Sequence, residues 1–135
     1  MRLKALALFA ALAVPAFAQE LPDITAEQIA AASAAVEAAN LSETTYRDLW
    51  CGGAFALKYA LAVQAAQPGA AEFSAARDKL YRKAAVDLLA AGVTEGDFTE
   101  LAENVFRVAL GQTRSDDAAT RDFTDEECET AVATN

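Results

Sequence analysis

Between residues 43 and 66 the apolar side chains gather on two opposite sides of a helical wheel. At 100° per residue, Tyr46, Trp50, Gly53, Leu57 and Leu61 share one side, flanked by Leu49. Cys51, Phe55, Tyr59 and Ala62 share the other. A helix that is apolar on two faces is buried on both, so this segment is expected to be a central post. The segments around it carry one stripe or less. The first offers Ile29, Ser33 and Val36 among alanines; the third aligns Phe73, Leu80, Ala84 and Leu88, with Tyr81 alongside. The fourth aligns Phe98, Leu101, Val105 and Val108, with Phe106 to one side. Sustained period-two alternation of β-branched residues is absent, so strands have no support. The pattern predicts an all-α fold, a small four-to-five-helix bundle around its second helix.

Start signals place the elements. In I24-T25-A26-E27-Q28-I29, Thr25 and Gln28 can form a capping box while Ile24 and Ile29 close a hydrophobic staple. The same grammar recurs with Thr94 as cap between Val93 and Phe98, and with Thr124 and Glu127 as a box ahead of Cys128. A weaker version has Ser42 between Leu41 and Tyr46. Asn40, Gln67-Pro68-Gly69 and Gly92 read as stops, and Gly111 is expected to end the fourth helix in the same way. The helices predicted are 25–39, 43–66, 71–91, 94–110 and a short one over 124–132, with 112–123 a polar connection.

The chain opens MRLKALALFAALAVPAFA. Arg2 and Lys4 precede an apolar stretch from Ala5 to Val14, and Ala16-Phe17-Ala18 forms an A-x-A cleavage site. That is the pattern of a secretory signal peptide over residues 1–18, and the stretch is short of the roughly 20 residues that span a bilayer. The expected mature protein is residues 19–135, one helical domain, periplasmic or secreted and soluble after cleavage. It has 28 alanines, the best helix former, and nine Lys and Arg against twenty Asp and Glu, a net charge of −11. Such a surface repels nucleic acid and anionic lipid, so neither is an expected partner.

Two cysteines in an exported chain favour a disulfide, and Cys51 can pair only with Cys128. Cys128 sits at the staple position opposite Phe123, facing inward; Cys51 lies on the post's second apolar face. The bond would close a loop of 78 residues, for which the chain-entropy model gives about 4–5 kcal/mol. A last helix so short needs such an anchor. A catalytic role for Cys51 would need a lowered thiol pKa, and with no histidine in the chain a Cys–His pair is impossible. Gly52 and Gly53 inside a helix cost about 1 kcal/mol each relative to alanine. Close approach of neighbouring helices is the simpler reason for them; a kink opening a small pocket beside Trp50 is the sharper one.

Missing residue types exclude more chemistry than any motif supports. Without histidine, or methionine beyond residue 1, His- or Met-ligated haem and copper have no ligands, and C-x-x-C-H is absent. Zinc would have carboxylates alone once the cysteines pair. A Ser-His-Asp triad cannot be assembled, and no G-x-x-x-x-G-K-[ST] loop occurs. Residues 114–129 hold seven carboxylates, and placing Asp116 at position 1 of a calcium loop puts Glu127 at position 12. Ala118 then occupies a ligand position and Arg121 the glycine position, so the pattern fails. Twenty acids offer many pairs of the kind glycoside cleavage uses, and nothing singles one out. No cofactor or metal is expected.

The function these observations point to is non-enzymatic: an exported helical protein that binds another extracytoplasmic protein, in a stress-related chaperone-like or inhibitor-like manner. Neutralisation of twenty carboxylates at low pH would drive such behaviour. Two alternatives stand beside it: a small-ligand carrier or enzyme with a pocket near Trp50, Gly52 and Gly53, and an accessory subunit of a periplasmic complex.

Overall fold

The computed structural model describes residues 23–115 and 117–134. The candidate signal peptide over residues 1–18, and Asp116 of the acidic segment, lie outside these residues. Among the described residues the chain forms α1 (Ala26–Ala39), α2 (Glu43–Gln64), α3 (Ala70–Ala90), α4 (Glu95–Arg114) and α5 (Asp125–Ala133). A 3₁₀ turn at Ala118–Thr120 precedes α5, and no strand occurs among the described residues. The caps explain where these helices begin. Thr25 accepts from the Gln28 N–H while the Gln28 side chain accepts from the Thr25 N–H, and Thr124 and Glu127 repeat the exchange at α5. Ser42 and Thr94 cap α2 and α4 through the N–H groups of Thr45 and Asp97. Each such cap contributes about 1 kcal/mol. Asn40 and Gly92 turn left-handed after α1 and α3, with φ of 49° and 93°.

Gly111 does not end α4, which continues to Arg114. A Cβ at Gly111 would come within 2.8 Å of Ile29 Cδ1, so the missing side chain is what seats α1 on α4. The stop signal was a packing signal.

α2 is the post. Every residue from Asp48 to Ala56 is buried, and α2 touches α3, α4 and α5. Its consecutive glycines admit two different neighbours. A Cβ on Gly52 would lie 2.7 Å from Tyr81 Cε1 of α3, and one on Gly53 would lie 3.3 Å from the Phe106 Cα of α4. Successive helical residues point 100° apart, so the pair lets α3 and α4 close on separate sides. α1 packs on α4 and not on α2 itself, so the post carries three helices directly and the fourth at second hand. Its last turns emerge from the core, leaving Leu61 and Val63 about half exposed.

α5 is held by the predicted bond: Cys51 and Cys128 form a disulfide, with both residues buried. Phe123, just ahead of α5, sets its ring edge against Trp50 at 5.6 Å between centroids. Lys58 pairs with Asp125 at 3.1 Å while lying over the Phe55 ring. No helix among the described residues is long and apolar enough to cross a membrane.

Candidate functional site

Lys79, Arg82, Lys83 and Val86 stand at i, i+3, i+4 and i+7 of α3, a spacing that puts them on one face. The other face of α3 is fixed by burial of Leu80, Ala84 and Leu88, so this one is turned outward. Across from it, the first turns of α2 present Thr44, Arg47 and Asp48, and Thr134 closes one end. These side chains line a cleft of about 520 Å³. Four of the nine Lys and Arg beyond residue 18 converge here, against the carboxylates of Asp48 and Asp87.

The cations are not equivalent. Asp48 is fully buried; its Oδ1 lies 3.2 Å from an Arg47 guanidinium nitrogen and 4.0 Å from Lys83 Nζ. Asp48 therefore steadies Arg47 at the mouth of the cleft. Its Oδ2 and the Arg47 Nε are buried without hydrogen-bond partners among the described residues. Lys83 donates to the carbonyls of Ala131 and Thr134, both at 3.2 Å, where a cation also meets the negative end of the α5 dipole. Lys79 and Arg82 have nothing comparable. Among the described residues neither makes a hydrogen bond or ion pair, although acids outnumber bases twenty to eleven in the chain.

The residues singled out from sequence lie elsewhere. Trp50 is buried, and its Nε1 donates to Gln112 Oε1 at 2.8 Å. Gly52 and Gly53 are filled by Tyr81 and Phe106. None of the three lines the cationic cleft or a second one of about 620 Å³, bounded by Val36, Glu37, Leu41, Tyr46, Gln112 and Asp122. On the wall of that second cleft the Gln112 amide accepts from the Asp122 N–H and donates to Asp122 Oδ2, which also accepts from the Tyr46 hydroxyl. Burial, and then the hydrogen bond to Asp122, push the Tyr46 pKa well above its ordinary value. No match is found between this chain and any family model, curated protein or solved structure. Geometry alone carries the functional reading.

Four of the seven acids of the 114–129 segment have local work. Asp117 caps the 3₁₀ turn, Asp122 holds Tyr46 and Gln112, Asp125 pairs with Lys58, and Glu127 caps α5. Among the described residues no three potential ligands converge on a point that could hold a metal ion.

Sequence reasoning missed the cationic cleft because a net charge averages over the whole surface. Its trace was readable all the same: three of the nine basic residues fall within Lys79–Lys83, on one helical face.

Proposed function

We propose that this chain is an exported, non-enzymatic binding protein that acts on another extracytoplasmic protein by docking an acidic segment of it in the cationic cleft. The signal-peptide pattern over residues 1–18 supports export to the periplasm or beyond, and the disulfide is compatible with that compartment. The single observation that carries the binding role is the pairing deficit at Lys79 and Arg82 among the described residues. Two like charges held beside a third and a fourth repel one another, and a chain rich in acids could have relieved them at a few tenths of a kcal/mol per pair. Leaving them open makes sense when something else supplies the anion. The test is co-purification from the native compartment, comparing the wild-type chain with a Lys79→Glu/Arg82→Glu variant. A partner retained by the first and lost by the second supports the reading; the same partners in both overturn it.

A second reading has its own support, a small-ligand carrier using the cleft at Tyr46 and Gln112. Because Gln112 hydrogen-bonds Trp50, the only tryptophan of the chain, a ligand there would alter its fluorescence. A metabolite screen that never does so removes this reading.

A further inference from the structure

We infer that the occupant of the cationic cleft is an acidic amphipathic helix of the partner protein, with two carboxylates one helical turn apart and an apolar side chain about a turn beyond them. The inference rests on the reading of the cleft as a docking surface and adds the form of what docks. Three features of the cleft select that form.

The first is length. From Lys79 to Val86 the α3 face runs seven residues, about 10 Å at 1.5 Å per residue. A lone phosphate or carboxylate engages one end of it and leaves the rest bare. The second is polarity along that length. Free cations stand at the Lys79 and Arg82 end, while Val86, 57 % exposed, and the carboxylate of Asp87 stand at the other. A uniform polyanion such as nucleic acid or an anionic lipid surface meets Asp87 with like charge and covers Val86 with nothing apolar. A patterned peptide matches both ends. The third is backbone satisfaction. Both walls are outer faces of helices, whose N–H and C=O groups beyond the first turn of α2 are committed to hydrogen bonds within α2 and α3. An extended peptide would face them with its own backbone unmet, whereas a helical one satisfies itself and offers only side chains. Carboxylates at i and i+4 of such a helix lie about 6 Å apart, the interval that separates Lys79 from Arg82 and Lys83 along α3.

The test uses the processed full chain and a labelled helical peptide with Glu at i and i+4 and Leu at i+7, followed by fluorescence anisotropy at low ionic strength. Two control peptides replace both Glu by Lys, or the Leu by Ser. Binding of the parent peptide should weaken steadily with added salt and be lost with the Lys control. Lys79→Glu/Arg82→Glu should weaken it by at least about tenfold. Val86→Ser in the protein, or the Ser peptide, should weaken it roughly fivefold. Among the described residues Lys79 and Arg82 have no partner to lose, and Val86 is exposed, so both variants should melt like the wild type, and a circular-dichroism melt checks this. Three results overturn the inference: no binding at low salt, equal binding by the charge-reversed variant, or competition by inorganic phosphate or anionic vesicles as effective as by unlabelled peptide. The co-purification experiment separates this failure from that of the broader reading. A native partner lost on charge reversal, with no peptide binding, leaves the cleft as the docking surface and removes the helix from it; no dependence in either experiment removes both.

Discussion

Gly52→Ala tests the tightest contact of the bundle. The added methyl would sit 2.7 Å and 2.8 Å from two carbons of the Tyr81 ring and 3.3 Å from a third, well inside van der Waals contact. Tyr81 is itself buried against α2, and its hydroxyl is buried without a partner among the described residues; the ring has little room to slide. Alanine in place of a mid-helix glycine gains about 1 kcal/mol of helix propensity. Overpacking a filled core costs about 1–3 kcal/mol. The balance is a net loss of about 1 kcal/mol, or about 4 °C in Tm for a domain of this size. Urea unfolding followed by circular dichroism measures the first figure. The diagnostic step is the same substitution in a Tyr81→Leu background, where the ring atoms are gone. There Gly52→Ala should stabilise by about 1 kcal/mol, giving a coupling of about 2 kcal/mol between the two sites. If Gly52→Ala stabilises both backgrounds equally, Tyr81 does not fill the glycine and the account of α2 is wrong.

Cys51→Ser/Cys128→Ser should lower stability by about 2–4 kcal/mol, with the amides of α5 exchanging fastest in hydrogen-exchange measurements. Gln112→Leu leaves the buried Trp50 N–H without its acceptor, at about 1–3 kcal/mol, and tryptophan emission should shift. Ala66 sits left-handed at φ 50° after α2, so Ala66→Gly should raise stability by about 0.5 kcal/mol in urea unfolding. Tyr46 and Tyr81 both have pKa values raised above 10.0, chiefly by burial. A group raised on folding binds its proton more tightly in the native state. The stability it contributes is therefore complete below pH 10 and is lost as pH climbs past it. Unfolding free energies between pH 9 and pH 11.5 should fall, and fall less steeply in Tyr46→Phe and Tyr81→Phe.

How much of this could be read in advance follows from how local each cause is. Thr25, Ser42, Thr94 and Thr124 act on N–H groups three residues away, so the helix starts were legible. The disulfide was legible because only one partner existed for Cys51. Gly111 was misread since a glycine at a helix end and a glycine under a neighbour's side chain look alike in a string; Ile29, 82 positions earlier, decides between them. The same distance hid the role of Gln112, which fell in the expected polar connection although a buried tryptophan N–H requires some acceptor. The cationic cleft needed α2 and α3 side by side before Arg47 could join Lys79 and Arg82.

Docking through the α2–α3 cleft is tested most directly by site-specific photo-crosslinking from position 86 in living cells, with position 63 at the far end of α2 as the control. One discrete adduct with an acidic protein is expected from position 86, absent from position 63 and abolished by Lys79→Glu/Arg82→Glu. An adduct from position 86 that survives the charge reversal, or none at all, would contradict it.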